Sequence, residues 1–168
     1  MIRSIYNPIL TRADIPDIPP ALVDVTSVFN PGAIKHDGVY RLMLRVQSRS
    51  RETFLVMASG NDGVHFKADD RIVHFKGIEN VKEKIYHIYD ARITYLEGRY
   101  YIMFAMDMAS GCQLGLGVTD DFDTFEFIGI TSNEDIRNGV LFPEKVNGKY
   151  LRMDRPNQSR HTGGPTSG

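Results

Sequence analysis

The chain has 168 residues, 42% of them hydrophobic, which is enough for one domain with a core of its own. The 20 Lys and Arg against 21 Asp and Glu leave a net charge of −1, and no basic run is long enough to follow a phosphate backbone, which argues against nucleic acid or a membrane surface as partner. The single cysteine, Cys112, lacks any zinc-type spacing, and the chain has neither a signal-like start nor an apolar stretch near about 18 residues, so a soluble cytoplasmic protein without a metal is expected.

In chain order, Met1–Leu10 could form an edge strand closed by Asn7-Pro8. Pro16, Pro19 and Pro20 forbid a helix or a central strand over Arg12–Asp24, which should therefore lie extended over the surface. Val25–Lys35 and Val39–Arg49 read as a hairpin, followed by Thr53–Ser59 and a short strand at Arg71–Phe75. Gly77–Lys84 is the one stretch with helical character. A second set of strands is predicted at Ala91–Leu96, Tyr100–Met106, Leu114–Thr119 and Glu126–Thr131, and a third begins with Val140–Val146 and Lys149–Asp154. No long period of 3.6 residues occurs, which excludes helical bundles and βαβ folds.

The chain repeats itself. Sliding Asn30–Val46 by sixty positions lays Asn30 on Asp90, Gly38 on Gly98, Tyr40 on Tyr100 and Leu44 on Phe104, and Gly148 and Tyr150 match Gly98 and Tyr100 at a spacing of fifty. Ala58–Phe66 likewise falls beside Gly117–Phe125. Repeats of about forty to sixty residues built from short strands mark the blades of an all-β propeller, with an open sandwich of hairpins as the alternative. The blades would span 25–76 and 88–131, with a third opening at 139–168. A propeller closes with at least about four blades, so the chain reads as part of a longer protein whose unpaired sheet edges would favour a homo-oligomer.

In a propeller the first strand of each blade lines the central channel. Asn30, Asp90 and Phe142–Lys145 are each read as opening such a strand, which would gather an amide, a carboxylate and a lysine around one pocket. Arg92, two residues beyond Asp90, should share its face. Arg45, Arg92, Arg137, Lys145, Arg155 and His161 place cations near the same strand ends, and several cations around one acid suit an anionic guest. The Tyr, Phe and Met residues of these strands are read as packing between blades.

The strings FNPGAIKHDGVYRLMLRVQ, YDARITYLEGRYYIMFAMD and NGVLFPEKVNGKYLRMDRP together resemble successive signatures of glycoside hydrolase family 130, the β-mannoside phosphorylases. The resemblance runs from about Tyr6 to the C-terminus and implies a five-bladed propeller of about twice this length, of which about two and a half blades are present. It implies Asp90 as the catalytic acid, in a motif usually written Asp-Pro-Arg that here reads Asp90-Ala91-Arg92. Asn30 and Arg45 match positions that contact the sugar, Arg92 is placed with them as substrate-binding, and Lys145 and Arg155 match members of the phosphate-binding set, with Arg137 and His161 close to it. The reaction implied is inverting phosphorolysis of a β-mannoside to α-mannose 1-phosphate, with inorganic phosphate as co-substrate and no other cofactor. A hydrolase using Glu144, Asp107 or Asp154 as second acid is the alternative, as is a non-catalytic propeller fragment.

Overall fold

A computed structural model of the chain describes residues 4–132 and 135–157. Among these the protein is all-β, with eleven strands and only two short 3₁₀ turns, at Arg12–Asp14 and Ile78–Asn80. The first sheet is an antiparallel meander of β1 (Val25–His36), β2 (Val39–Ser48), β3 (Thr53–Gly60) and β4 (Lys67–Ile72). The second is formed by β6 (Ile85–Leu96), β7 (Arg99–Met108), β8 (Gly111–Thr119) and β9 (Phe125–Ile130), and β5 (Phe75–Lys76) adds to its far edge parallel to β9. Two more strands, β10 (Ile136–Leu141) and β11 (Arg152–Pro156), pair as a hairpin.

The hairpins follow from their turn residues. Asp37-Gly38 and Glu97-Gly98 both take positive φ, at 48° and 80° and at 51° and 84°, the two-residue turn whose twist matches that of its flanking strands. Asn147-Gly148 repeats this at 51° and 72°, but only the single bridge Val146–Lys149 brackets it.

Side chains alternate across each sheet, and the alternation sorts them into separate cores. From the first sheet Met43, Leu55 and Met57 face the second sheet and meet Phe75, Ile102, Phe104 and Met106. Their neighbours Leu42, Leu44, Val46, Val56 and Ala58 face the other way and are covered by Ile15 and Leu22. This is the surface-hugging role expected of the proline-rich segment. From the second sheet Leu96, Met103 and Leu114 turn towards Ile136 and Leu141 of β10. The middle sheet is thus packed on both faces, as a propeller blade is and a two-sheet sandwich is not. Burial of Met43, Met57, Met103 and Met106 agrees with their reading as filler between blades.

Several boundaries differ from those read in the sequence. Residues 4–10 form no strand, and Phe75–Lys76 joins the second sheet, not the first. Asn30 and Asp90 do not open their strands but sit in the middle of β1 and β6, at β-bulges. There Asn30 and Pro31 together oppose Leu44, and Asp90 and Ala91 oppose Phe104. The third hairpin pairs 136–141 with 152–156, so Phe142–Lys145 lies in the connection between the strands instead of opening one. Pro143 has no N–H to give to a ladder there.

Candidate active site

The first strands of the three sheets stand side by side, β6 touching both β1 and β10. Each carries an extra residue, near the middle of β1 and β6 and at the start of β10, with register shifts at Phe29/Gly32, Tyr89/Arg92 and Ile136/Asn138. A bulge bends a strand and re-aims the side chain beside it. Here the three bulges converge on a cleft of about 520 Å³ whose polar lining includes Asn30, Asp90, Arg92, Asn138, Asp154 and Arg155. Asp90 itself has φ 55°, a left-handed conformation that Asp and Asn tolerate better than most side chains. Gly32 lets the two inner strands approach beside the cleft, since a Cβ there would lie 2.7 Å from the Ala91 carbonyl oxygen.

Asp90 accepts a bond from Nη1 of Arg45 at 3.0 Å, with both side chains about four-fifths buried. Arg92 donates to the Ala91 carbonyl at 2.8 Å. The Asn138 amide, turned with its oxygen towards Arg155, accepts from Nε at 3.1 Å and Nη2 at 2.9 Å. Asp154 takes a bond from Arg152 Nη2 at 2.6 Å. Among the described residues neither Arg92 nor Arg155 is in an ion pair, so two unneutralised guanidinium groups line the same cleft as Asp90. Another hollow, of about 450 Å³ at the outer rim, contains Arg71, which is paired with Asp123.

Next to Asp90 in the chain, the buried Tyr89 gathers a polar cluster from the buried Cys112, the partly buried Asp107 and the exposed Arg137. The Tyr89 hydroxyl donates to Asp107 at 2.5 Å, lies 3.4 Å from the Cys112 sulfur and accepts from Arg137 Nε at 3.4 Å. Burial first, and then the bond to Asp107, raises the ionisation of this phenol well above the usual tyrosine range. Burial likewise pushes the Cys112 thiol up.

Asn30, Asp90, Arg92 and Arg155 are therefore brought together, Arg45 is bonded to Asp90, and Arg137 bonds the neighbouring Tyr89. Lys145 is not among them. It bonds Glu97 at 2.5 Å and lies over the Tyr150 ring, at the tip of the β6–β7 hairpin. Glu97 is seven positions from Asp90, roughly 20 Å along an extended strand. The bond to Glu97 raises the Lys145 ammonium and lowers the Glu97 carboxyl. His161 lies outside the described residues. Of the candidate second acids, Asp154 lines the cleft, Asp107 accepts the hydrogen bond of the Tyr89 hydroxyl, and Glu144 is exposed in the connection. Asn138 and Tyr89 were not legible as site residues. The third repeat is out of step with the first two, which hides Asn138, and Tyr89 reads as one more core aromatic.

Among the described residues no cluster of His, Cys, Asp or Glu is placed to hold a metal ion, and no helix is long and apolar enough to cross a membrane.

Blades stacked around a cleft that joins Asp90 and Asp154 to two arginines outside any ion pair among the described residues define a partial β-propeller with a charged cleft on its inner strands. Residues 8–162 match the family model of glycoside hydrolase family 130, described as beta-1,4-mannooligosaccharide phosphorylase, and the chain belongs to that family. It is 31% identical over 163 residues to a beta-1,4-mannooligosaccharide phosphorylase of Ruminococcus albus, covering 93% of this chain and 46% of that relative. It is 26% identical over 176 residues to a 4-O-beta-D-mannosyl-D-glucose phosphorylase of Bacteroides fragilis, covering 93% of this chain and 44% of that one. The structure of beta-1,2-mannobiose phosphorylase from Listeria innocua superposes with a TM-score of 0.80 at 22% identity, over 94% of this chain and 59% of that one. The fold is that of the family's five-bladed propellers, of which the chain carries a part. It spans about half the length of these curated relatives.

Proposed function

We propose that this chain supplies the acid and the phosphate-facing arginines of an inverting β-mannoside phosphorylase. The observation that carries the reading is Asp90 in one cleft with Arg92 and Arg155, whose charges no carboxylate among the described residues neutralises. A glycosidase that inverts with water needs a second carboxylate as base, whereas phosphate is already a nucleophile and needs a cradle of cations. Arg155, steadied by Asn138, and Arg92, steadied by the Ala91 carbonyl, would hold phosphate in line with the anomeric carbon. Asn30 and Arg45 would address the mannosyl ring. The phosphate oxygen forms a bond to the anomeric carbon as the bond to the leaving oxygen breaks. The proton that this oxygen needs comes from Asp90, relayed through the mannosyl 3-hydroxyl. The products are α-mannose 1-phosphate and the shortened sugar, and no cofactor is required.

Asp154 favours one competing reading, hydrolysis with a carboxylate pair, since it lines the same cleft. A solved relative with a TM-score of 0.76 at 19% identity carries the description that the family contains glycoside hydrolases targeting beta-1,2 mannosidic linkages. Against this, Asp154 is occupied by Arg152, and the arginines would be left without an anion.

Asp90→Asn is the sharpest variant, because Asn tolerates the same left-handed backbone and the fold should be kept. Loss of general-acid catalysis should lower kcat by about 10²–10⁴ while circular dichroism shows the fold retained. A variant that keeps full turnover would remove Asp90 from the chemistry.

A further inference from the structure

Arg45 is held by more than its bond to Asp90. Its guanidinium carbon lies 4.7 Å from the ring centre of Phe29 and 4.6 Å from that of Tyr89. These two aromatics occupy equivalent places in the repeat, each immediately before the bulge residue of its inner strand, Asn30 in one blade and Asp90 in the next. Register explains how Arg45 reaches both. It is the direct cross-strand partner of Phe29, so the two side chains rise from one face. The corresponding place in the second blade is the small Ala105, opposite Tyr89. Arg45 can therefore lean from the first blade across to the second.

Both rings are set in ways that core packing alone does not require. Phe29 is 38% exposed, an aromatic kept half out of the core beside the cleft. Tyr89 is buried, and its hydroxyl is fixed by Asp107, Cys112 and Arg137, so its ring cannot swing away. The Arg45 Nε is buried without a hydrogen-bond partner, so this atom does not fix the side chain in place. The rings and the Asp90 carboxylate are what hold it.

We propose that Phe29 and Tyr89 are positioning residues, a two-blade aromatic seat that aims Arg45 at Asp90 and at the sugar bound there. Contact with both rings restrains the guanidinium while its Nη1 donates to Asp90 at the edge of the cleft. The inference deepens the reading of Asp90 as the acid and rests on it. The seat bears on the sugar-side chemistry and not on phosphate, which Arg92 and Arg155 face.

The test uses the full-length protein with Phe29→Leu, Phe29→Tyr and Tyr89→Leu. Phe29→Leu should lower kcat about tenfold, leave the KM for phosphate within about twofold, and be largely rescued by Phe29→Tyr. An equal fall with leucine and tyrosine, no fall in kcat, or a matching rise in the phosphate KM would overturn the proposal. The Arg45 Nε–Hε resonance gives a second reading that needs no turnover. It should be sharp in the wild type and broadened in Phe29→Leu, whose half-exposed site tolerates the change, and an unchanged signal there would overturn the seat. Should the wild type act on no β-mannoside, the functional reading fails by itself and this resonance alone decides the seat.

Discussion

Tyr89 shows how one side chain can serve packing and electrostatics together. Its ring packs with Ala105 and Cys112, while its hydroxyl ties Asp107, Cys112 and Arg137 into one network at the residue preceding Asp90. Because burial raises its ionisation above the ordinary tyrosine value of 10.0, the folded state holds the phenol proton more tightly than the unfolded chain does. The resulting stability is fully present below about pH 10 and is lost as the pH climbs further, because unfolding then releases a proton. Urea unfolding followed from neutral to strongly alkaline pH should show a falling midpoint above about pH 10, and Tyr89→Phe should flatten that fall. A wild-type slope matched by the Phe variant would mean that Tyr89 is not the group responsible. Nothing in the order of residues signals this role, since Tyr-Asp before an arginine looks like the start of any strand.

At the scale of elements, the bulges do the work of placing the site. An uninterrupted strand would send Asp90 and Ala91 to opposite faces in strict alternation, whereas two residues set against Phe104 turn Asp90 out of phase and aim it into the cleft. The matching bulge at Asn30 needs the two inner strands close together, which Gly32 permits. Gly32→Ala should force the Ala91 backbone away, at a cost of about 1–3 kcal/mol, and should lower both the melting temperature and kcat. An alanine variant with both unchanged would show that the approach is not needed. The hairpins were legible in the sequence because Asp37-Gly38 and Glu97-Gly98 name their own turn type. The bulges were not, because one extra residue shifts the alternation and makes β6 look as though it begins at Ala91 instead of Ile85. The same difficulty misplaced Lys145. A connection holding Pro143 separates the paired strands of the third hairpin, and the recurring Asn147-Gly148 turn concealed that change of spacing.

For the whole molecule, the internal repeat carried the fold. Two matching hairpins sixty residues apart imply two matching blades, and the alternation of Met43 against Leu42 and Leu44 packs the first blade on both faces. The site was legible only as far as that repeat holds. Asn30 and Asp90 are repeat equivalents and could be paired in advance. Arg155 of the third hairpin was given its phosphate-side role only through the family resemblance, and Asn138 was missed because that hairpin's own spacing hides which residue faces the cleft. What the assembled cleft offers is Asp90, with Asp154 tied up by Arg152, beside two guanidinium groups that have no ion-pair partner among the described residues. The most direct test is turnover of β-1,4-mannobiose by the full-length protein with and without inorganic phosphate, followed by phosphorus NMR. The account predicts α-mannose 1-phosphate in the presence of phosphate and no cleavage without it. Release of free mannose at the same rate whether or not phosphate is added would contradict it.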